Sequence, residues 1–173
     1  MAILMFIARK HDLTSRIFKY QARLQELTRK LSDMQQYAAN IADGNVSIGD
    51  MLNTPSSMFG RTMMYMQYSH SSAAMYAQNQ FAAMQPMIAQ QMANADPNYQ
   101  MQYQNWVMQN LYNQERERIA KVEAKLMNQQ EKEITQEKLK IESALKMAES
   151  ELEEVKKAED KGIKDFAPKY TGQ

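Results

Sequence analysis

The sequence predicts an all-α protein, an elongated three-helix coiled-coil hairpin or bundle with a long C-terminal helix. Helix-forming residues dominate the composition, and only five Gly and four Pro occur in 173 residues. Apolar residues recur at heptad spacing over long stretches. Val and Ile are few, so a sheet is not expected.

The first region, 1–44, combines an apolar tip with a basic helix. Apolar residues of this helix alternate at spacings of four and three, a heptad pattern that a lone surface helix rarely sustains. Gly44 is expected to end the helix as a left-handed cap. The predicted seam consists of Leu13, Ile17, Tyr20, Leu24, Leu27, Leu31, Met34, Ala38 and Ile41.

A connector, 45–53, separates this helix from a second one predicted over 54–95. Thr54 and Pro55 are typical of an N-cap and the first helical residue. Pro86 is expected to kink the helix near its end, because proline removes a backbone donor and its ring clashes with the preceding turn.

The second helix is rich in Met, Gln and Ala, and residues 62–95 carry no formal charge. Surface helices usually carry Lys and Glu, so we expect protein to cover most faces of this one, in a subunit interface or a bundle core. A helix lying in a membrane interface and a disordered or aggregation-prone segment are the alternatives. Ser69, Ala73 and Ala77, at spacing four, would permit a close approach of another helix.

A third helix is predicted over 96–161, beginning at Asp96 and Pro97, with a frayed tail over 162–173. Two apolar registers along this helix are offset, which indicates a phase slip at Gln129 and Gln130 that would locally unwind a coiled coil. The first register holds Ile119, Val122 and Leu126, and the second holds Ile134, Ile141, Leu145, Ala148, Leu152 and Val155.

The lengths of the helices favour a partner from another subunit. In an up-down-up chain the first helix runs parallel to the third and reaches only about its first 40 residues. The segment 138–161 would then have no partner in its own chain. A parallel coil pairs g positions with e positions, so we predict a head-to-tail contact between subunits. Its charged residues are Arg9, Arg16, Arg23 and Lys30 at g, with Glu142 and Glu149 at e.

Several kinds of chemistry are not expected. The chain has no Cys, which excludes disulfides and thiolate metal sites. Phosphate-binding loops, nucleophile elbows and zinc-protease motifs do not occur in the sequence. Met63, Met66 and His70 share a helical face that could bind copper, but core packing is the preferred interpretation in a chain this rich in Met. We therefore predict no enzymatic activity, no cofactor and no metal.

The N-terminus is apolar but lacks the basic segment that precedes the apolar stretch of a signal peptide. No stretch approaches the roughly 18 consecutive apolar residues of a membrane span. The expected location is the cytoplasm, or outside the cell after export without a cleaved signal. Nucleic acid is not an expected partner, because acidic residues interrupt the basic stripe of the first helix.

The expected function is structural: a self-assembling helical subunit of a filament, an appendage or a secretion-apparatus-like component. The alternative is a cytoplasmic coiled-coil adaptor or chaperone that forms a small closed oligomer, and a third hypothesis is a membrane-active helical protein. The expected partners are further copies and other protein components rather than a small-molecule substrate, and the uncharged middle helix could contact a membrane. The predicted interface residues are Leu13, Ile17, Tyr20, Leu24, Leu27, Leu31, Met63, Met66, Ala73, Ala77, Phe81, Trp106, Ile141, Leu145, Leu152 and Val155.

Overall fold

The computed structural model describes residues 2–42 and 46–166. It is 93% helical over these residues and contains no strand within them, which confirms the all-α class. A long C-terminal helix packs against the others, as predicted. The helices are α1 (Ala2–Ile41), α2 (Ile48–Leu52), α3 (Ser56–Gln91) and α4 (Pro97–Phe166).

The predicted connector contains a short helix, α2, which begins with a reciprocal cap. The Asp50 backbone N–H donates to the Ser47 hydroxyl at 3.1 Å, and the Ser47 backbone N–H donates to the Asp50 carboxylate at 2.9 Å. This capping box satisfies two backbone donors that a helix start leaves unpaired. The predicted cap at Gly44 lies outside the described residues.

The start of α3 differs from the prediction, and the start of α4 agrees with it. The Thr54 hydroxyl donates to the Asp50 carbonyl at 2.7 Å, so Thr54 closes α2 instead of capping α3, and Pro55 occupies the N-cap position. Asp96 does cap α4, because its carboxylate accepts from the Asn98 backbone N–H at 2.8 Å.

The observed ends of α3 and α4 can be compared with the predicted ones. Pro86 lies within α3, which continues to Gln91. The C-terminal helix does not stop at residue 161, since α4 passes through Gly162 and ends at Phe166. A single glycine costs a helix only about 1 kcal/mol, so Gly162 does not by itself end one.

The chain divides into two compact units. Unit 1 consists of Met1–Leu31 and Lys132–Gln173, and unit 2 consists of Ser32–Glu131. Helices α1 and α4 each contribute residues to both units, whereas α2 and α3 belong to unit 2 alone.

In unit 1, α1 and α4 run antiparallel. Arg9 pairs with Glu151, and Arg23 pairs with Glu137 at 2.7 Å, so residue numbers fall along α4 as they rise along α1. Lys10 contacts Glu159 at 3.1 Å. The predicted lack of a partner for residues 138–161 within the chain is therefore wrong, because α1 of the same chain packs along this segment.

The contacts between α1 and α3 in unit 2 show that the predicted up-down-up arrangement is wrong. Ser57 of α3 donates to Asp33 of α1 at 2.5 Å, and Arg61 of α3 lies over the ring of Tyr37 at 5.5 Å. Residue numbers rise together in these pairs, so the last turns of α1 and the first turns of α3 run in the same direction. The connector therefore does not reverse the chain, and the reversal occurs between α3 and α4. There the Gln100 amide donates to the Met92 and Ala95 carbonyls at 2.7 and 3.0 Å.

The inward-facing seam of α4 follows one register without a slip. Val122 is 60% exposed and Leu126 is 43% exposed, so neither belongs to it. The predicted phase slip at Gln129 and Gln130 is therefore wrong. Some seam positions hold polar residues, so a search for apolar residues alone does not find the continuous register. Every member of this heptad series is buried or half-buried: Ala120, Ala124, Met127, Glu131, Ile134, Lys138, Ile141, Leu145, Ala148, Leu152, Val155, Glu159 and Gly162.

Helix α3 presents a narrow stripe of small and polar residues to its neighbours in unit 2. Ser69 and Ala73 are fully buried, and Ala77 is 2% exposed. Because these side chains are small, they permit a close approach of another helix. The buried residues of α3 are Thr62, Tyr65, Ser69, Ala73, Ala77 and Ile88.

Candidate interaction site

A hydrogen-bonded cluster in unit 2 joins α1, α3 and α4. The Glu123 carboxylate accepts from the Tyr37 hydroxyl at 3.1 Å and from the Arg61 guanidinium at 2.8 Å. Arg61 also donates to the Gln130 amide oxygen at 2.9 Å. Burial, reinforced by the nearby Glu123 charge, raises the pKa of Tyr37. The Tyr37 hydroxyl therefore stays protonated and donates at neutral pH.

Sequence reasoning missed this cluster, although one signal was available. Arg61 is the one cation between residues 34 and 114, and a lone charge in an uncharged segment calls for a partner when it is partly buried. Its partner, Glu123, could not be identified without knowing how α3 and α4 align. Tyr37 could not be assigned to the site either, because the direction of α3 relative to α1 was unknown.

A cleft beside this cluster opens between α3 and α4. Its volume is about 470 Å³, within the range of roughly 300–1,000 Å³ that is typical of ligand-binding pockets. Three apolar or aromatic residues of its walls are strongly exposed: Met64 at 73%, Tyr68 at 62% and Val122 at 60%. The residues that line the cleft are Arg61, Met64, Tyr65, Tyr68, Ile119, Val122 and Glu123.

Two buried polar atoms near the cleft lack hydrogen-bond partners within the described part of the chain. They are the Tyr65 hydroxyl and Nε of Arg116. Burial raises the pKa of Tyr65. An unpaired buried polar group costs about 1–3 kcal/mol, so the packing of α3 against α4 tolerates a local penalty here.

Glu115 is a buried carboxylate close to the cleft. It is only 4% exposed and accepts from the Arg118 guanidinium at 2.7 Å. The hydrogen bond from Arg118 holds the pKa of Glu115 below its ordinary value. Glu115 therefore remains charged, and Arg118 on the adjacent surface compensates its charge.

Trp106 stands on a different side of α4 from the cleft. Its side chain is 60% exposed and stacks on Tyr103, with ring centroids 5.8 Å apart and planes inclined by 27°. Trp106 and Val122 are 16 residues apart, so at 100° per residue they project about 160° apart around the helix axis. Trp106 is thus not a core anchor of its own chain, and its predicted role at an interface remains a prediction.

The predicted seam residues of unit 1 pack within the chain. Leu13 and Leu27 are buried, at 0% and 1% exposure. The other members of the predicted interface set in this unit are half-buried: Ile17, Tyr20, Leu24, Leu31, Ile141, Leu145, Leu152 and Val155. Contact with α1 or α4 of the same chain therefore accounts for much of their apolar surface.

The predicted interface residues of unit 2 are divided between core and surface. Ala73 and Ala77 belong to the core, Met66 and Phe81 are half-buried, and Met63 is 49% exposed. Ala73 and Ala77 therefore lie on the buried face of α3, whereas Met63 lies on the outside.

The charged residues predicted to join subunits have different partners within the chain. Arg9 and Arg23 bond to Glu151 and Glu137. With Leu145 at an a position, both glutamates occupy g positions. An antiparallel pair brings g opposite g, whereas the prediction paired g with e on the assumption of parallel helices.

The remaining members of the predicted charge set have local partners or lie on the surface. Arg16 contacts Asp12 at 3.8 Å, and Lys30 contacts Glu26 at 2.7 Å, each one turn away on α1. Glu142 lies 4.0 Å from Lys138 on α4, and Glu149 is exposed. Pairing of these six charged residues between subunits stays a prediction. A lack of partners within their own chain no longer supports it.

One candidate copper ligand has an aromatic partner, and the other two differ in exposure. Nδ1 of His70 lies 2.7 Å from the Tyr112 hydroxyl, and the two rings meet edge to face. Met63 is exposed, and Met66 is half-buried. Among the described residues no group of three His, Asp or Glu side chains is placed to hold a metal ion.

Unit 2 exposes many large apolar side chains. The expectation that protein covers most faces of the uncharged helix is therefore not met within one chain, because α3 buries only one stripe. The exposed large apolar residues of this unit are Leu52, Phe59, Met63, Met64, Tyr68, Met75, Met87, Tyr99, Met101, Trp106, Val122 and Leu126.

None of the helices in the described part of the chain has the length and apolar character to cross a membrane. Comparison with known proteins finds no matching family model, no similar curated protein and no similar solved structure.

Proposed function

We propose that this chain is a structural subunit that assembles with further copies of itself through unit 2. The observation that supports this most directly is the apolar surface of the hairpin formed by α3 and residues 97–126 of α4, hereafter the hairpin. Soluble monomers seldom expose contiguous apolar patches larger than a few hundred Å². Among the described residues of unit 2, twelve large apolar ones are exposed, so a protein partner is expected to cover many of them.

The charge pattern favours a second copy over an anionic partner. Residues 62–95 carry no formal charge, and the exposed residues of the hairpin are mostly Met, Tyr, Gln and Asn. A partner surface rich in Lys, Arg, Asp or Glu would lose hydration there without gaining ion pairs. Residues 62–95 and 97–114 of another copy offer a surface of the same uncharged kind.

The same pattern argues against the membrane-active alternative. Helices that lie in a membrane interface usually carry Lys and Arg on their polar face. Helix α3 has one cation, Arg61, and its guanidinium bonds to Glu123 and Gln130. Self-association through protein contacts fits this composition better than lipid binding.

A pair of matched substitutions tests the proposal. Met75 on α3 is 64% exposed, and Met147 on α4 in unit 1 is 66% exposed. We expect the wild-type chain to form larger species as concentration rises in sedimentation velocity. Met75→Lys should abolish this behaviour, because it places a charge in the neutral interface, and Met147→Lys should leave it unchanged.

The outcome also separates the functional hypotheses. Open-ended growth in sedimentation and negative-stain images supports a subunit of an extended assembly. A constant dimer or tetramer supports the closed adaptor or chaperone. A wild-type chain that remains monomeric at the highest soluble concentration contradicts both.

A further inference from the structure

We propose that the copies join head to tail, with Trp106 of one copy inserted into the cleft between α3 and α4 of the next. This inference rests on the self-assembly proposed above and specifies its contact. The projecting element is Trp106 stacked on Tyr103, hereafter the knob. Because the stacking at 5.8 Å restrains the ring, little side-chain entropy remains to be lost on binding. Exposed aromatic residues of this kind are the commonest anchors of protein interfaces.

The cleft offers the groups that an indole ring requires. Its walls present the thioether of Met64, the ring of Tyr68 and the methyl groups of Val122, all exposed. Thioethers and aromatic rings pack favourably against an aromatic face. With a volume of about 470 Å³ the cleft has room for a large aromatic side chain.

The cleft also contains polar groups that can interact with the N–H and with the face of an indole ring. The Glu123 carboxylate lines the cleft, and the Tyr37 hydroxyl and the Arg61 guanidinium both donate to its Oε1. A carboxylate has about four acceptor positions, so it can accept another donor such as the indole N–H. The Arg61 guanidinium also lines the cleft, where it can lie against an aromatic face. Tryptophan, which combines an apolar ring with one donor, fits this set better than an aliphatic side chain.

The placement of the knob and the cleft determines the symmetry of the contact. Val122 lies 16 residues beyond Trp106 on α4, which corresponds to about 24 Å along the axis and about 160° around it. In a two-fold dimer both copies use the same surface, so each knob can enter the partner's cleft only if knob and cleft lie on one face of the chain. Because they face nearly opposite directions, each copy must donate its knob to one neighbour and accept a knob from another. Such heterologous contacts generate rings or open filaments.

The chain contains a built-in reporter of this contact, because Trp106 is its one tryptophan. Exposed indole emits at longer wavelength than buried indole, so we expect the emission maximum of the wild-type chain to shift to shorter wavelength as concentration rises. Val122→Glu places a charge in the cleft and should weaken association by about tenfold or more, as loss of an interface anchor does. Met147→Glu, on an exposed residue of unit 1, is the control and should behave like the wild type.

Mixing two variants distinguishes head-to-tail joining from other modes. The Trp106→Ala chain retains an intact cleft but has no knob, and the Val122→Glu chain retains its knob. At a concentration below the weakened dissociation constants, each should remain monomeric alone, and the mixture should form a one-to-one complex that does not grow. Only the Val122→Glu chain fluoresces from tryptophan, so a shift of its emission on adding the Trp106→Ala chain reports the insertion directly. Circular dichroism of each variant verifies that it retains wild-type helix content.

Each remaining outcome overturns the inference in a recognisable way. Wild-type assembly without an emission shift, or unchanged assembly of Trp106→Ala, excludes the knob but leaves self-assembly intact. A mixture of the two variants that stays monomeric excludes the head-to-tail contact. A shift seen only after adding anionic phospholipid vesicles identifies a lipid surface as the occupant instead. Absence of any association refutes this inference and the proposed function together.

Discussion

At the scale of single residues, the buried hydroxyl of Tyr65 lowers the free energy of unfolding of the chain. The residue is 6% exposed, and its hydroxyl has no partner within the described part of the chain. Removing an unsatisfied buried polar group while keeping the ring relieves part of a desolvation penalty of about 1–3 kcal/mol. We therefore expect Tyr65→Phe to raise the free energy of unfolding by about 1 kcal/mol. Tyr68→Phe, at a hydroxyl-bearing ring that is 62% exposed, should change it by less than about 0.5 kcal/mol.

Urea denaturation followed by circular dichroism measures both variants at a concentration where the chain is monomeric. A lower stability for Tyr65→Phe would mean that the hydroxyl has a hydrogen-bond partner after all, such as a water molecule bridging to Arg116. The comparison with Tyr68→Phe removes the general effect of replacing a tyrosine by phenylalanine.

Some buried positions can be predicted from residue identity alone, and others cannot. The apolar seam of α1 is readable from the sequence because Leu13, Leu27 and Ile41 recur with the period of the helix and are buried. Glu131 and Lys138 lie on the α4 seam but are polar, so a search for apolar periodicity excludes them. The cluster of Tyr37, Arg61 and Glu123 depends on the alignment of three helices, which no local pattern specifies.

At the scale of helices, close packing of α3 depends on the size of one stripe of side chains. Ala73 is fully buried, so enlarging it forces the neighbouring helix outward or the new side chain into an unfavourable rotamer. We expect Ala73→Leu to destabilise the chain by about 1–3 kcal/mol. Ala83, on the same helix, is exposed, and Ala83→Leu should lie within about 0.5 kcal/mol of the wild type.

Thermal unfolding of the two alanine variants provides the measurement. Both substitutions add the same side chain to the same helix, so the helix propensity change is common to both. Equal unfolding temperatures for the two variants would show that Ala73 does not face a closely packed neighbour.

The start and the great length of α4 were accessible from the sequence, but the directions of the helices were not. Asp96 and Pro97 carry the N-cap signal that α4 uses, and the absence of breakers over the following residues indicates its great length. An up-down-up arrangement requires segment 45–53 to reverse the chain, whereas Ser47 and Asp50 cap a short helix there. Directions result from how that connector packs, because Thr54 bonds to Asp50 and to Asn40 of α1.

At the scale of the whole molecule, the path of the chain can be tested by chemical cross-linking. The antiparallel arrangement in unit 1 places Arg23 beside Glu137, at 2.7 Å between their charged groups. An up-down-up chain would place the first helix beside residues 97–135 instead. Because the sequence has no Cys, the double variant Arg23→Cys with Glu137→Cys offers one defined pair to a short bis-maleimide. We expect an efficient intramolecular link that leaves the chain monomeric on a denaturing gel and increases its mobility.

The matched control is Arg23→Cys with Lys157→Cys, on the same two helices. Lys157 lies 20 residues beyond Glu137, about 30 Å along α4, so a short reagent cannot span this pair within one chain. Equal linking of the two pairs would contradict a fixed antiparallel alignment of α1 and α4. Links formed only between copies would show that α1 packs on α4 of a neighbour, and would restore the contact between subunits that the heptad pattern predicted. A link within the chain from the first pair alone agrees with the proposal that copies associate through the knob and the cleft of unit 2.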